Sequence, residues 1–178
     1  MRVDLSRFRF AILCEDTRHQ KLLRLYLAGR GVEMRKMSFF PLPKGRGSGE
    51  QHVRETFPRA VHTHRTRGWE NRALLVMVDG DKDPTRKQQL LALLSPGRAK
   101  EERIIVLVPR RNVETWLFAF SRGGCDVDEQ GTDYKNNFRE GDVQQAVQNM
   151  VSQCHGSGFP SAPLSFLDAV QEWQRLGQ

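Results

Sequence analysis

Three carboxylates stand within a span of five residues near the middle of the chain: Asp79, Asp81 and Asp83. They follow the apolar run Ala73–Val78, which is short, partly β-branched and typical of a strand buried on both faces. The carboxyl ends of such strands form the edge at which parallel sheets bind ligands. Carboxylates at this edge are the ligands that Mg²⁺ prefers in proteins, together with water and substrate phosphate.

Two further apolar runs end near acids. One leads directly into Glu15, and the other is followed, beyond a short loop, by Glu114. If the strands are neighbours in one sheet, these acids and the Asp79-x-Asp81 pair converge and can hold one or two Mg²⁺ or Mn²⁺ ions. Such a site lowers the pKa of a bound water and stabilises charge on a phosphodiester.

The same acids have structural interpretations that the sequence leaves open. Acids after strands often act as turn residues or helix caps, which would suffice for Asp79 and Asp81. Glu114 falls in the first turn of a predicted helix, where the helix dipole favours negative charge. Asp16 and Asp83 fit the role of a cap better than that of a ligand. Because clustered like charges repel one another without a cation, we favour the metal interpretation for the others.

Other acidic motifs fit the chain less well. A calcium loop would need glycine where Pro84 stands and an acid where Leu90 stands. An aspartyl-phosphate phosphatase would carry its acidic pair after the first strand, whereas here the pair follows the third. A receiver domain would not carry this doublet and would need a lysine after a fifth strand.

Composition and charge indicate a globular protein with an anionic partner. The 178 residues are 38% hydrophobic and carry a net charge of +7, which suits DNA or RNA although charge alone is a weak signal. Cys14, Cys125 and Cys154 form no zinc pattern, and we expect Cys14 to pack in the core. No signal peptide and no apolar run of roughly 20 residues is present, so we expect a cytoplasmic, reduced protein without membrane contact.

Hydrophobic spacing predicts an α/β fold, with a parallel sheet of about four strands and helices on both faces. The strands are expected at residues 8–14, 32–40, 73–78 and 104–108, the second at the sheet edge because its apolar residues alternate. Asn112 is expected to cap the helix after the fourth strand. The chain divides into a domain of residues 1–120 and an extension of residues 121–178, a loop with two amphipathic helices, the last capped by Ser165.

A basic loop and a basic helix follow the second strand. The loop Pro41–Gly49 carries a lysine and an arginine among three glycines and could approach a phosphate backbone, or it is an ordinary connection. It matches neither a Walker A loop nor GxGxxG. The helix, from about residue 50 to 67, contains Pro58, which predicts a kink or a late start. We expect its His62 and His64 to be solvated.

The order of the acids resembles a known family. A lone Glu closing strand one, followed by Asp-x-Asp closing strand three of a small parallel unit, resembles the Toprim domain of topoisomerases, primases and the overcoming-lysogenization-defect (OLD) nucleases. The continuation Val-Pro-Arg-Arg-Asn-Val-Glu-Thr-Trp-Leu, which starts at Val108, is similar to the small RloB-like Toprim proteins of bacterial phage-defence operons. The resemblance covers about residues 8–120. The chain departs from the family pattern at Asp16, where many relatives have glycine.

This resemblance implies roles for individual residues. Glu15, Asp79 and Asp81 would be metal ligands, and Glu114 would be a further acid of the site. Lys135 matches a phosphate-binding lysine that some relatives carry near the C-terminus, although the residue alone is equally well explained as an exposed lysine.

We therefore predict an Mg²⁺- or Mn²⁺-dependent nuclease acting on DNA or RNA, with water as nucleophile. Arg110 and Arg111 would bind the scissile phosphate. Tyrosine chemistry is not expected, because Tyr26 fits the core and Tyr134 lies in a loop. Two alternatives stay open, a nucleic-acid-binding effector subunit that works with an ATPase partner, and a metal-dependent enzyme acting on nucleotides. The sequence does not decide the oligomeric state or the choice between DNA and RNA.

Overall fold

The structure is a computed structural model in which four parallel strands form one sheet. The described residues are 3–43, 48–68, 71–123, 126–137, 139, 141–153 and 162–177. The strands are β1 (Arg9–Cys14), β2 (Met37–Phe39), β3 (Arg72–Met77) and β4 (Ile104–Leu107). They lie in the order β2-β1-β3-β4, and all three pairings are parallel. The predicted α/β class with a four-stranded parallel sheet is confirmed.

The second strand is shorter than the predicted range of residues 32–40. Met34–Lys36 form a 3₁₀ turn, and β2 follows it. Glu33 stabilises this turn, because its carboxylate accepts two hydrogen bonds from Arg35 and its carbonyl accepts one from the backbone N–H of Lys36. β2 pairs with β1 over three residues and lies at the sheet edge, as its alternating pattern predicts.

Six α-helices occur within the described part of the chain. They are α1 (Thr17–Gly29), α2 (Gly49–Thr66), α3 (Arg86–Leu91), α4 (Val113–Ser121), α5 (Asp142–Gln153) and α6 (Leu164–Gln174). Asn112 caps α4 as predicted, since its side chain accepts a hydrogen bond from the N–H of Thr115. Pro58 lies inside α2, which begins at Gly49 behind the cap Ser48, so the late start is wrong.

The prediction that Ser165 caps the last helix is also wrong. Pro163 occupies the cap position, and Ser165 lies inside α6, where it is buried. Its hydroxyl accepts a hydrogen bond of 2.8 Å from Trp116 of α4 and donates one to Glu129. Ser165 therefore ties α6 to α4 and to the loop before α5.

Helices cover both faces of the sheet. Alternate residues of β1, β3 and β4 point to opposite faces, because successive side chains of a strand do so. Phe10 and Ile12 belong to one core with α1, α4, α5 and α6, and Leu13 belongs to a second core with α2 and α3. Val147 of α5 and Phe166 of α6 lie in the first core, so the C-terminal helices pack on the sheet.

The side chain of Glu172 in α6 covers the open edge of β4. One carboxylate oxygen accepts a hydrogen bond of 3.1 Å from the backbone N–H of Val106. Arg98 and Lys87 form ion pairs with the same carboxylate at 2.6 and 2.8 Å. Burial acts to raise the pKa of Glu172, but these two cations outweigh it and hold the pKa below its usual range.

The outcome differs between His62 and His64 of α2, both of which the sequence predicts to be solvated. His62 is exposed, but the prediction is wrong for His64, which is 8% exposed. His64 continues the buried stripe formed by Phe57, Ala60 and Val61, at spacings of three and four residues that place it on the inner face of the helix.

Three further predictions concern the cysteines, the basic loop and membranes. Cys14 is a free, buried core residue as predicted, and burial raises the pKa of its thiol. Cys125, Cys154 and the centre of the basic loop, residues 44–47, lie outside the described residues. Among the helices of the described residues, none combines the length and the apolar character needed to cross a membrane.

Candidate active site

The site lies where the chain changes direction across the sheet. The neighbouring strands β1 and β3 are connected through β2. Helix α1 runs from β1 to β2 along one face of the sheet, and α2 runs from β2 to β3 along the other. In open parallel sheets, the crevice beyond the carboxyl ends of two such strands is the usual ligand site. Glu15 directly follows β1, and Asp79 lies two residues beyond the end of β3. The two strands are neighbours, which is the condition that the sequence analysis set for these acids to converge.

Glu15 and Asp79 are in direct contact. The backbone N–H of Asp79 donates a hydrogen bond of 2.9 Å to Oε2 of Glu15. Burial raises the pKa of the Glu15 carboxyl above its usual range; this hydrogen bond offsets part of the rise, and the charges of Asp79 and Asp81 add to it. The first residue of α2, Gly49, packs so closely on Glu15 that a β-carbon there would overlap its side chain and carbonyl.

A histidine that sequence reasoning missed holds Asp79 in place. His19 is completely buried, and its Nε2 lies 3.0 Å from Oδ1 of Asp79. Its Nδ1 lies 3.1 Å from Oδ1 of Asp16, which also caps α1 by accepting the His19 N–H. Burial would lower the pKa of His19, but hydrogen bonds and charges of the two carboxylates outweigh it and raise the pKa to about 10. The imidazole is therefore a cation at neutral pH.

The periodicity of α1 contained the signal for this histidine. His19 stands in phase with Leu22, Leu23 and Tyr26, all of which are buried. A polar residue on the apolar stripe of a helix requires a buried partner. From the sequence, residues 16–20 were interpreted only as the start of the helix, and the apolar stripe was not extended back to His19.

The start of α4 supplies a second donor to Asp79. The backbone N–H of Val113, the first residue of α4, donates a hydrogen bond of 2.9 Å to Oδ1. This places the positive end of the α4 dipole against the carboxylate. Oδ1 of Asp79 is thus hydrogen-bonded to both His19 and Val113. No described residue forms a hydrogen bond with Oδ2.

Asp81 lies in a tight turn that continues the pairing of β3 with β4. The backbone N–H groups of Gly80, Asp81 and Lys82 donate to the carbonyls of Pro109, Arg111 and Arg110. Asp81 has φ 49°, a left-handed conformation that aspartate tolerates better than most residues. Its carboxylate is exposed and lies 3.9 Å from Arg86 of α3.

Glu114 is buried beside the site, but its carboxylate faces a cation. Oε1 pairs with Arg18 of α1, and Oε2 is buried without a hydrogen-bond partner among the described residues. Sequence reasoning missed Arg18, which stands next to His19 in the first turn of α1. The structure thus joins Glu15 to Asp79 and leaves Glu114 with Arg18.

The acids do not form a closed metal cage. Within the described ranges, no three His, Cys, Asp or Glu side chains are grouped closely enough to hold a metal ion by themselves. Two adjacent carboxylates are nevertheless a sufficient protein contribution for Mg²⁺, which keeps several waters. The donor set of Glu15 and Asp79 fits such a site, with Asp81 at its exposed margin.

None of the three predicted phosphate-binding side chains has a described contact with Glu15, Asp79, Asp81 or Glu114. The backbone of Arg110 and Arg111 pairs with the Asp81 turn, but Nη2 of Arg111 lies 3.2 Å from Asp133. Arg110 lines a cavity of about 360 Å³ between α3 and α6. Lys135 is exposed in the loop that contains Asp133. Their phosphate-binding roles stay predictions.

The two tyrosines are both poorly placed as nucleophiles. Tyr26 is buried in the first core, as predicted. Tyr134 is also buried, and its ring stacks on Phe118 with 4.5 Å between centroids, while its hydroxyl accepts a hydrogen bond from the N–H of Asp128. Neither side chain has a described contact with Glu15 or Asp79.

Comparisons with protein-family models, curated proteins and solved structures found no match to this chain. The Toprim resemblance therefore stays a prediction carried by the order of the acids.

Proposed function

We propose that the protein is an Mg²⁺- or Mn²⁺-dependent phosphodiesterase that cleaves nucleic acid at the carboxyl edge of the sheet. The observation that carries the proposal is the contact between Glu15 and Asp79 at the switch point between β1 and β3. Two carboxylates at this place are the ligand set that magnesium enzymes acting on phosphates use. The net charge of +7 supports a polyanionic substrate.

The residues around the two carboxylates fit a site whose geometry is set before the ligand arrives. His19 and the Val113 N–H fix one oxygen of Asp79, and the Asp79 N–H fixes one oxygen of Glu15. The free oxygens are left to bind a metal ion. Fixed ligands of this kind reduce the reorganisation needed when charge develops in the transition state.

The metal ion would supply the reactive water and stabilise charge on the phosphodiester. The chain itself contributes binding and orientation. Three helices, α1, α2 and α4, begin at this edge behind the caps Asp16, Ser48 and Asn112, and helix starts favour phosphate groups. Arg110 and Arg111 remain our choice for cations that contact the substrate, although Arg111 would first have to leave Asp133.

The decisive test is Asp79→Asn, which keeps the shape of the side chain and removes its charge. We expect cleavage of labelled DNA or RNA in Mg²⁺ or Mn²⁺ to fall about 10³-fold, because metal catalysis supplies several kcal/mol. Mn²⁺ affinity, measured by calorimetry, should fall in parallel. Asp83→Asn is the matched control, since Asp83 lies in the same loop but is bound by Thr85 and Gln89. Equal cleavage by Asp79→Asn and wild type would overturn the proposal.

A second candidate function is a nucleic-acid-binding subunit that is activated by a partner. The observation that favours it is the engagement of Glu114 by Arg18, which keeps this carboxylate apart from the proposed metal ligands Glu15 and Asp79. The ATPase partner of this alternative would then have to complete the site. Binding of Mn²⁺ and nucleic acid without cleavage by the isolated chain would favour this candidate over the first.

A further inference from the structure

A second cavity lies at the opposite edge of the sheet. Its volume is about 390 Å³, within the range of small-molecule sites. It lies between α2, the first residues of β1 and β3, and β2 with the residues that follow it, and its lining includes Arg9, Arg67, Arg72, Phe40, His64 and Ala60. Because β1 is six residues long, Arg9 at the mouth of this cavity lies about 20 Å along the strand from Glu15.

Two arginines stand side by side at the mouth of the cavity. Arg9 of β1 and Arg72 of β3 are directly opposite each other in the parallel register. Each arginine lies an even number of positions before residues of the second core on its own strand. Because side chains alternate between the two faces along a strand, both arginine side chains point to the face that α2 covers. Neither side chain has a hydrogen bond or ion pair with any described residue, although the backbone N–H of Arg9 donates to the carbonyl of Asn71. Like charges directly opposite one another destabilise a sheet unless something neutralises them.

The other cations of the cavity have structural explanations that these two lack. Arg67 caps the C-terminus of α2, where the helix dipole favours positive charge. Arg35 pairs with Glu33, and Lys36 donates to the Ser6 carbonyl at 2.6 Å. No acid of the described residues lines the cavity. Arg9 and Arg72 are therefore two unneutralised charges that the fold places together.

A buried histidine adds a polar group without a partner to the same wall. His64 lines the cavity, is 8% exposed, and its Nε2 is buried without a hydrogen-bond partner among the described residues. An unsatisfied buried nitrogen is unfavourable, because folding removes its water and supplies no other hydrogen-bond partner. Its retention on a cavity wall is explained if a ligand supplies the missing hydrogen bond when the cavity fills.

The remaining wall is apolar and partly aromatic. Phe40 packs on the second core at the end of β2, and Ala11 and Ala60 line the space beside it. A simple anion would leave this surface unused. The cavity is suited to a ligand that joins an anionic group to a flat ring, which is the chemistry of a nucleotide.

We propose that this cavity binds one nucleoside monophosphate unit, with its phosphate on Arg9 and Arg72 and its base between Phe40 and His64. The unit is either a free nucleotide or one residue of a nucleic-acid strand. The proposal does not depend on nuclease activity, because the cavity shares no residue with the carboxyl-edge site.

Calorimetric titration of the full chain with AMP in EDTA tests the proposal, since EDTA keeps metal from the carboxyl edge. We expect saturable binding that is about 100-fold weaker in Arg9→Gln/Arg72→Gln, about tenfold for each charge-assisted contact. Arg59→Gln, an exposed arginine of α2 outside the cavity, is the matched control. Asp79→Asn should bind AMP like wild type, so a failed nuclease proposal leaves this result unchanged.

Three ligand comparisons complete the test. Adenosine and inorganic phosphate should each bind more weakly than AMP, because each lacks half of the contacts. A short oligonucleotide that competes with AMP and binds more tightly identifies a strand as the source, whereas AMP binding without competition identifies the free nucleotide. The proposal is overturned if AMP shows no saturation at about 1 mM, if phosphate binds as tightly as AMP, or if Arg9→Gln/Arg72→Gln with a wild-type melting temperature binds AMP normally.

Discussion

The two ends of the sheet each hold a buried histidine, and the two histidines are in opposite states. At the carboxyl edge, His19 lies against Asp16 and Asp79, and its pKa is raised to about 10. At the amino edge, burial and the charges of Arg72, Arg103 and Arg65 lower the pKa of His64. One imidazole is a cation among acids, and the other is neutral among cations.

The two edges differ in whether the charged groups have hydrogen-bond or ion-pair partners within the protein. At the carboxyl edge, the carboxylate of Asp79 is hydrogen-bonded to His19 and to the backbone N–H of Val113, so the protein fixes its position. At the amino edge, Arg9 and Arg72 face each other without a described partner, and His64 lacks a hydrogen bond on Nε2. This contrast is why we propose a cation as the ligand of the first site and an anionic group as the ligand of the second.

Replacing His19 by leucine should produce the largest effect. It would leave Asp79 buried beside an apolar group, and breaking a buried ion pair costs about 3–5 kcal/mol. We expect the free energy of unfolding in urea to fall by that amount at pH 7. His62→Leu, an exposed histidine of α2, should change it by less than about 0.5 kcal/mol.

A double-mutant cycle tests whether the loss of stability comes from the ion pair between His19 and Asp79. The effect of His19→Leu should be smaller in an Asp79→Asn background, because the neutral amide does not need a cation. Strictly additive effects would show that His19 acts through packing alone, and the contrast between the two histidines would then lose its electrostatic basis.

A methyl group at Gly49 should produce an intermediate effect on the carboxyl edge only. A β-carbon there would overlap the side chain and carbonyl of Glu15, so Gly49→Ala must displace the acid or the start of α2. We expect a stability loss of about 1–3 kcal/mol and weaker Mn²⁺ binding. Gly97→Ala, where a β-carbon meets no atom within 4 Å, is the control. Unchanged Mn²⁺ affinity in Gly49→Ala would contradict this prediction, since it would mean either that only the start of α2 moves or that Glu15 does not bind the metal.

The sheet and the positions of its acids follow from the sequence because strands buried on both faces give uninterrupted apolar runs. Glu15 and Asp79 stand directly after such runs, and parallel pairing brings them to one edge. His19 was in principle equally visible, since it shares the helical phase of Leu22 and Tyr26. It was missed because cap residues and the apolar stripe overlap in the first turn of α1.

The amino-edge cavity was not predictable in the same way. Arg9 and Arg72 are separated by 62 intervening residues in the chain, and only the register of β1 with β3 makes them neighbours. The periodicity of α2 does place His64 on its inner face. What it cannot supply is the absence of a hydrogen-bond partner, which depends on how β1 and β2 pack beneath the helix.

The smallest expected effect is a pH dependence at the amino edge. The pKa of His64 is lowered in the folded protein below its ordinary value of 6.5, mainly by burial and further by Arg72, Arg103 and Arg65, with Glu102 opposing. The unfolded chain therefore binds a proton more readily, so this histidine's contribution is fully present above pH 6.5 and is lost as the pH falls below it. Urea unfolding from pH 5 to pH 8 should show that wild type loses stability on acidification relative to His64→Leu. A difference between the two proteins that is constant across this range would mean that His64 is not a neutral buried group, and the contrast with His19 would fail.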